Sequence, residues 1–287
     1  MFKLIFSVGI LLSVARLQAG EILTEKLVAQ LLETKKAFVF SPYSVGAAMS
    51  MTAEGSSGET KKEFGRVLGL PWTNGIPKSD GSVFQTAQAV WVEQTYSIKS
   101  GYMDKLKKKY QAGFEKTDFK EQSEPARLKI NQWVEEKTKD KIKDLLPAGS
   151  LTPLTRLVLV NGVYFKDSWE QAFDKSLTGL QPFKVTEEQS VEVEALKKHF
   201  KSVQYYSSDK FESVQIPYKT KGFYLRLFLP KGFDISKETV KEILNKKNKH
   251  YSNEDMIVQF PKFKIDFEIE LSQNFKDLGL VLPFSDQ

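Results

Sequence analysis

The sequence predicts an α+β fold, with a helical N-terminal half and large mixed β-sheets in the C-terminal half. Apolar residues recur at helical spacing through most of the first half. Apolar runs of strand length, continuous or alternating, dominate the second half. Helices and strands fall in separate regions and no internal repeat occurs, which favours an α+β protein over a series of βαβ units.

Helical periodicity predicts five helices in the N-terminal half, at residues 21–35, 44–53, 59–68, 99–110 and 124–146. The second follows Ser41-Pro42, where a proline suits the first helical turn and neighbouring serines can cap it. Apolar segments at residues 38–40, 86–92 and 114–119 predict strands between the helices. Residues 70–81, with several prolines and glycines, predict a loop.

The C-terminal half opens with the strongest strand signal. Residues 157–165 form a near-continuous apolar run, which predicts a strand with both faces covered in the middle of a sheet. Strict alternation at residues 191–194 and 262–270 predicts half-buried strands. A further strand is predicted at residues 223–229, and a surface helix capped by its first serine at residues 236–247.

Composition excludes several kinds of chemistry. The 287 residues contain no cysteine, so disulfides, thiolate metal sites and a cysteine nucleophile are excluded. Positive residues number 42 against 36 negative ones, and lysine and glutamate alternate along most of the chain. Such a mixed surface does not predict nucleic-acid binding, which calls for a concentrated basic stripe.

Residues 1–19 have the layout of a secretory signal peptide. Lys3 precedes an apolar run from Leu4 to Ala15, and the small Ala19 marks the expected cleavage point. The alternative is a buried N-terminal helix. Because no later stretch approaches the roughly 18 apolar residues of a membrane span, we expect a secreted, extracellular protein that does not cross a membrane.

No catalytic or metal-binding constellation is recognisable. A hydrolase without cysteine would need a serine or threonine activated by His199, His250 or a lysine. Both histidines stand among polar residues, which predicts exposed loop or helix-end positions and no catalytic role. The spacings of metal-binding and phosphate-binding motifs are also missing. We therefore expect no enzyme activity, metal or cofactor, and a function that depends on surfaces or conformational change.

Three blocks of sequence, taken together, resemble the serpin family, protease inhibitors that insert their own reactive loop into a β-sheet. The first is Phe-Ser-Pro-Tyr-Ser-Val-Gly-Ala-Ala-Met at residues 40–49. The second is Leu-Val-Leu-Val-Asn-Gly-Val-Tyr-Phe-Lys-Asp-Ser-Trp at residues 157–169. The third combines Val-Gln-Ile-Pro-Tyr at 214–218 with Phe-Pro-Lys-Phe at 260–263. The blocks occur in family order and span most of the chain after residue 19.

The resemblance implies one serpin domain over residues 20–287, in which residues 157–165 are the strand beside which the reactive loop inserts. It places Ser41, Pro42, Ser44 and Asn161 in the shutter region beneath that sheet, and Trp169 in the breach at its top. The plainer alternative, that these residues cap a helix and fill a core, is compatible with those roles. None of them is expected to be catalytic.

Two departures from the family pattern concern the shutter and polysaccharide binding. Ala37 stands where serpins usually carry an asparagine, and the segment from residue 70 to 86 is too short for the helix that usually binds glycosaminoglycans. The remaining candidates for binding a sulfated polysaccharide are Lys105, Lys107, Lys108 and Lys109, or Lys246, Lys247 and Lys249. The alternative is an ordinary solvated helix face.

The resemblance also implies further strands, a hinge and the reactive loop after the Leu-Gly-Leu at residues 278–280, and we expect this portion, with its reactive-site bond, to be missing from the chain. A full-length form would inhibit a serine-type endopeptidase, with a cysteine-type endopeptidase as a second option. The alternative is a non-inhibitory binding or carrier serpin, or an inactive truncated isoform. Nucleic acids and membranes are not expected partners.

Overall fold

A computed structural model of the protein describes residues 2–5, 10–13, 21–34, 37–69, 83–140, 142–232, 235–244, 250–265 and 267–285. The helices among these residues are α1 (Glu21–Glu33), α2 (Pro42–Glu54), α3 (Gly58–Leu68), α4 (Ser100–Tyr110), α5 (Ser123–Lys137), α6 (Lys237–Leu244) and α7 (Ser272–Asp277). The strands are β1 (Phe2–Ile5), β2 (Ile10–Ser13), β3 (Phe84–Glu93), β4 (Gly113–Thr117), β5 (Leu157–Phe165), β6 (Gly179–Lys184), β7 (Ser190–Ser207), β8 (Phe211–Pro217), β9 (Tyr224–Pro230) and β10 (Ser252–Pro261). The predicted α+β class is confirmed. The whole of the predicted loop at 70–81 and the lysines at 246, 247 and 249 lie outside the described residues.

The chain divides into two compact units. A strand-rich unit comprises the described residues within Met1–Arg16, Leu27–Val39 and Asp167–Phe267. A helix-rich unit comprises those within Leu17–Lys26, Phe40–Lys166 and Glu268–Gln287.

The helix-rich unit is built around a three-stranded sheet of order β4-β3-β5. Strands β3 and β4 run parallel, and β3 and β5 run antiparallel. Alternate β5 side chains pack on opposite faces: Leu159 and Val163 contact a core formed with α2 and α4, while Val158 and Val160 contact a core formed with α5. The prediction that both faces of this strand are covered is therefore confirmed.

The prediction that β5 lies in the middle of a sheet is wrong for the described residues. Strand β5 pairs with β3 along one edge, and no described strand pairs with its other edge. Its continuous apolar run reflects the helices on its two faces, because face coverage and edge pairing are separate properties of a strand.

The strand-rich unit contains a seven-stranded sheet of order β1-β10-β7-β8-β9-β2, with β6 also pairing with β7. All its pairs are antiparallel except β1 with β10. One core cluster joins Phe200, Val214, Leu227 and Val258. A smaller cluster joins Phe211 and Phe228 to Ile243 of α6. The helix α6 thus covers part of this sheet.

Local sequence explains several helix ends. Ser41 is the N-cap of α2, and its Oγ accepts a hydrogen bond from the backbone N–H of Ser44 at 3.1 Å, with Pro42 in the first turn. Helix α3 ends at Gly69, whose φ of 67° is the left-handed conformation that glycine adopts without strain. Ser236 caps α6 through a 3.1 Å bond from the Thr239 N–H.

The helix predicted at residues 124–146 is shorter than expected. Helix α5 ends at Lys137, because Lys139 and Asp140 take left-handed backbone conformations with φ of 53° and 60°. The hydroxyl of Thr138 donates to the Val134 carbonyl at 2.8 Å and accepts from the Ile142 N–H at 3.2 Å. This side chain therefore turns the chain out of the helix although the apolar pattern continues.

Two further predictions of local structure are wrong, and one alternative is contradicted. Residues 38–40 and the described part of 262–270 are not strands, and Phe263 is 50% exposed. No described strand forms a ladder with either segment, and an alternating pattern without a paired backbone does not make a strand. The alternative of an N-terminal helix is also contradicted, since residues 2–5 and 10–13 are strands paired with β10 and β9.

Candidate functional site

The first feature of the candidate site is the edge of β5 that no described strand pairs, which we call the open edge of β5. Its other edge is held by nine consecutive residue pairs with β3, from Phe84↔Phe165 to Val92↔Leu157. A strand edge without a partner presents backbone donors and acceptors that can pair with an additional extended segment. Strand β5 is thus positioned to accept another strand.

Partly unsatisfied amides lie beside this edge, on the face of the sheet that packs against α2. Gln88 of β3 stands directly opposite Asn161 of β5. The Gln88 Nε2 donates to the Tyr43 hydroxyl at 3.2 Å, but its Oε1 is buried without a partner among the described residues. The Oδ1 and Nδ2 atoms of Asn161 are also buried without such partners. Unsatisfied buried amides cost stability, so these groups mark a place where another polar group would bind favourably.

The start of α2 connects the predicted serines to this face. Ser41, Pro42 and Ser44 form the helix cap described above, and Tyr43 between them is buried. Burial raises the pKa of the Tyr43 phenol, and the hydrogen bond from Gln88 offsets this only in part. Tyr43 therefore stays a neutral hydroxyl that links α2 to β3. Through Tyr43 and Gln88 the three cap residues are joined to the strand pair that carries Asn161.

Trp169, the fifth predicted residue, belongs to the strand-rich unit. Its indole stacks on the ring of Tyr218 with centroids 4.6 Å apart and planes 10° from parallel, and the two residues form an isolated β-bridge. Phe173 meets the indole edge-on at 5.5 Å. Burial, together with the charge of Asp167, raises the pKa of Tyr218 to about 12. Trp169 is thus an aromatic anchor, consistent with the core-filling alternative.

The four candidate lysines all lie on α4, but their environments differ. Lys109 forms an ion pair with Glu54 at 2.6 Å, and Lys105 lies 3.8 Å from the same carboxylate. Burial lowers the pKa of Lys109, but the hydrogen bond to Glu54 and the nearby Tyr110 outweigh it, so the net pKa is raised. Lys107 lies over the ring of Phe114, 5.5 Å from its centroid. Lys107 and the exposed Lys108 are therefore the better placed of the four to bind an anion.

The two histidines lie at exposed positions. His199 lies on β7, not in the predicted loop or helix end, and its Nε2 is 2.6 Å from Oδ1 of Asp255 on β10, with both side chains exposed. His250 is exposed. Within the described ranges, no three or more His, Asp or Glu side chains cluster in a way that could hold a metal ion. Among the described helices, none combines the length and apolar character that crossing a bilayer requires.

Glu93, at the end of β3, was not predicted from the sequence to have a structural or functional role. Its side chain is 1% exposed and accepts hydrogen bonds from the Thr95 N–H and hydroxyl, the Phe119 N–H and the Lys120 N–H, at 2.7–3.1 Å. Burial raises the pKa of Glu93, but these donors outweigh it and hold the pKa below its ordinary value. Glu93 thereby ties β3 to the segment that joins β4 to α5. No sequence pattern marks it, because its donors come from separate parts of the chain.

The fold and the site together define an α+β protein in which, among the described residues, β5 has an unpaired edge beside buried amides without hydrogen-bond partners. A family model described as "Serpin (serine protease inhibitor)" matches residues 19–287. The chain therefore belongs to the serpin family.

Relatives and solved structures agree with this membership. A serpin-like protein of Methanosarcina acetivorans is 35% identical over 277 residues, which cover 90% of this chain and 65% of that protein. A serine protease inhibitor of Cyanea capillata is 31% identical, covering 88% of this chain and 73% of that protein. The structure of cleaved Serpin 42Da is similar with a TM-score of 0.83 and 26% identity, over 93% of this chain and 76% of that one. The structure of emu ovalbumin is similar with a TM-score of 0.81 and 26% identity, over 93% of this chain and 79% of that one. The chain spans 62–65% of the length of the three Methanosarcina relatives.

Proposed function

We propose that this chain is the larger part of a secreted inhibitor of serine-type endopeptidases. The inhibitor exposes a loop that a protease cleaves, and the cleaved loop then enters the sheet as a new strand beside β5. No described residue is assigned to that loop. A cysteine-type endopeptidase is the second class of target.

The observation that carries this proposal is the open edge of β5 next to Asn161. An inserted strand would pair with the backbone of that edge and bring polar groups to the unsatisfied Asn161 and Gln88 amides. The free energy of this pairing is available only after the loop is cut, which suits a mechanism that couples cleavage to a large conformational change. Family membership and the inhibitor from Cyanea capillata support the same proposal.

The roles of individual residues follow from the same proposal. Ser41, Pro42 and Ser44 fix the start of α2 beneath β5. The unsatisfied amide atoms of Asn161 and Gln88 are the polar groups that an incoming strand would satisfy. Trp169 stabilises the segment that follows β5 through its stack on Tyr218. These are shutter and breach roles in which residues position strands and do not take part in bond chemistry.

Secretion and polysaccharide binding are further parts of the proposal. Residues 1–19 have signal-peptide features and would be removed on export. Lys107 and Lys108 of α4 would contact a sulfated polysaccharide, because Glu54 already neutralises much of the charge of Lys105 and Lys109.

The test begins with the gene expressed in a secreting eukaryotic cell. The intact mass of the product reports whether residues 1–19 are removed and whether residues follow Gln287. The product is then incubated with trypsin or chymotrypsin. We expect an adduct that survives SDS, equal in mass to the protease plus the N-terminal cleavage fragment, and a higher melting temperature of the cleaved inhibitor.

The matched control is the same protease with its nucleophilic serine replaced by alanine, which should form no such adduct. Cleavage of the product without an adduct, and with full recovery of protease activity, would contradict inhibition and favour the non-inhibitory alternative.

A further inference from the structure

The segment that joins α5 to β5 carries a largely exposed turn at residues 152–155. The chain is held on both sides of this turn. Before it, Leu151 packs against the core formed with α5. After it, the Arg156 carbonyl accepts a hydrogen bond from the Glu93 N–H at 2.9 Å, where the pairing of β5 with β3 begins. The turn therefore stands out from the fold between two fixed points.

Within the described part of the chain, the hydrogen bonds of this turn stay inside residues 152–156. The Thr155 N–H donates to the Thr152 carbonyl at 2.9 Å, and the Thr152 N–H donates to the Thr155 hydroxyl at 3.0 Å. The Leu154 N–H donates to the Thr152 hydroxyl at 3.3 Å. None of the described helices or strands includes the turn. Exposed backbone held only by local bonds is where endopeptidases preferentially cut folded proteins.

Leu154 presents an apolar side chain from this turn. It is 79% exposed, more than any other large apolar side chain in the described part of the chain. Leu128 and Leu180 are 52% and 68% exposed, but Leu128 lies within helix α5, and Leu180 lies on β6 in a residue pair with β7. An endopeptidase binds its substrate as an extended segment, which a helix or a paired strand provides only after opening. Of these three leucines, Leu154 is therefore the accessible one.

We propose that the Leu154–Thr155 peptide bond is a cleavage site for a chymotrypsin-like endopeptidase, whose apolar S1 pocket takes the leucine side chain. Cleavage consumes one water molecule, whose oxygen bonds to the Leu154 carbonyl carbon as the C–N bond breaks. Both protons of the water go to the Thr155 nitrogen, so the products are a carboxylate at Leu154 and an ammonium group at Thr155. The chain is a substrate in this reaction, and the inference does not depend on protease inhibition.

Cleavage at this bond would break the covalent link between α5 and β5. Strand β5 would still be held by its nine residue pairs with β3 and by the cores on its two faces. The two fragments should therefore stay associated, while the first residues of β5 lose the tether that restrains them. The cleavage thus acts on the N-terminal end of the strand that carries Asn161.

The first experiment treats the full chain with a small amount of chymotrypsin under native conditions and follows the masses of the fragments. We expect the first cut to give one fragment that ends at Leu154 and one that begins at Thr155. Leu154→Ala should slow this cut at least about tenfold, because the loss of a single methylene from an apolar pocket already has an effect of that size. The matched control is Leu180→Ala, which shortens an exposed leucine on a paired strand and should leave the rate unchanged.

Two competing sites make the position of the first cut informative. Tyr96 and Phe263 are 51% and 50% exposed and also suit an apolar S1 pocket. The Tyr96 N–H is bonded to the last carbonyl of β3 at 2.9 Å, and the residue before Phe263 donates its N–H to a carbonyl of β7 at 2.8 Å. Both sites are thus tied to a strand. A first cut after either residue, or equal cleavage rates for the wild type and Leu154→Ala, overturns the proposal.

The second experiment examines the cleaved product, purified without denaturant. It should elute in gel filtration as one species of the uncut size, and the amides of residues 157–160 should exchange with solvent faster than in the uncut chain. Separation of the fragments, or unchanged exchange, overturns the proposed release of β5. An adduct that survives SDS tests inhibition, whereas free fragments divided after Leu154 test this cleavage, so the two proposals can fail separately.

Discussion

Gln88 and Asn161 lie directly opposite each other in the antiparallel pair of β3 and β5, and they share three buried amide atoms without a partner among the described residues. Gln88 alone is connected further, through its hydrogen bond to Tyr43 of α2. The polar pair interrupts an apolar face formed by Val90, Leu159 and their neighbours. The unsatisfied amides lower the stability of this face. Under the proposed function, an inserted strand would satisfy them and recover that stability.

Asn161 and Asn131 should respond oppositely to removal of their amides. Asn161→Val removes two unsatisfied buried atoms from a strand and should stabilise the chain by about 1–2 kcal/mol. Asn131 accepts from the Leu146 N–H at 2.8 Å and donates to the Leu146 carbonyl at 2.9 Å. Asn131→Ala should therefore cost about 1–3 kcal/mol. Urea unfolding followed by tryptophan fluorescence measures both, and a destabilising Asn161→Val would contradict the assignment of unsatisfied atoms.

Glu93 should make the stability of the helix-rich unit depend on acid. Because folding lowers the pKa of Glu93, its contribution is present above the ordinary value of 4.5 and is lost as the pH falls through the lower folded pKa. Glu93→Gln should lower stability at pH 7 and flatten the loss of stability below pH 4.5. Urea midpoints from pH 7 to pH 2 measure this. Glu59→Gln, at an exposed glutamate of α3, controls for the loss of one negative charge. If the urea midpoint of Glu93→Gln falls with pH in parallel with that of the wild type, folding does not lower the pKa of Glu93.

The sequence was most informative where the determinants of structure are local. The bounds of β5 agree with the predicted residues 157–165, because a continuous apolar run bordered by polar residues needs no distant information. The start of α2 was predictable for the same reason, since Ser41 and Pro42 act on the helix that follows them. Most of the predicted helices and strands were recovered in this way.

Features that depend on distant partners were not predictable. The pattern at residues 262–270 shows only that apolar and polar side chains alternate. A strand also requires hydrogen bonds to the backbone of a neighbouring strand, which the pattern does not predict. Glu93 takes its hydrogen-bond donors from residues up to 27 positions away. The guanidinium of Arg226 contacts Tyr224 on its own strand, Gln215 on the neighbouring strand β8, and Tyr251 just before β10. For the candidate site, the resemblance named Ser41, Pro42, Ser44 and Asn161, but the unsatisfied amides became visible only in three dimensions.

The α4 lysines should differ in their effect on polysaccharide binding. Combined Lys107→Ala and Lys108→Ala should weaken binding to heparin about fivefold at 0.1 M salt, taking about 0.5 kcal/mol for each exposed charge. Combined Lys105→Ala and Lys109→Ala removes the same formal charge but should weaken it less, because both lysines face Glu54. Titration with a defined heparin oligosaccharide measures both doubles. Equal losses would show that only net charge matters, and the proposed role of Lys107 and Lys108 would then be withdrawn.

Tyr218, stacked on Trp169, should make the strand-rich unit sensitive to alkali. Burial and the nearby Asp167 raise the pKa of Tyr218 from its ordinary 10.0 to about 12. For a group whose pKa is raised by folding, the stabilisation is fully present below the ordinary pKa and disappears as the pH rises through the folded one. The melting temperature should therefore fall between pH 10 and 12, and fall less in Tyr218→Phe, which keeps the ring that stacks on the indole. Part of the fall should remain, because burial together with Tyr110 and Glu54 also raises the pKa of Tyr102 to about 12. Tyr96→Phe, at a tyrosine 51% exposed, controls for removing a hydroxyl without burial. Equal effects of Tyr218→Phe and Tyr96→Phe on the fall in melting temperature between pH 10 and 12 would show that burial and Asp167 do not raise the pKa of the Tyr218 phenol.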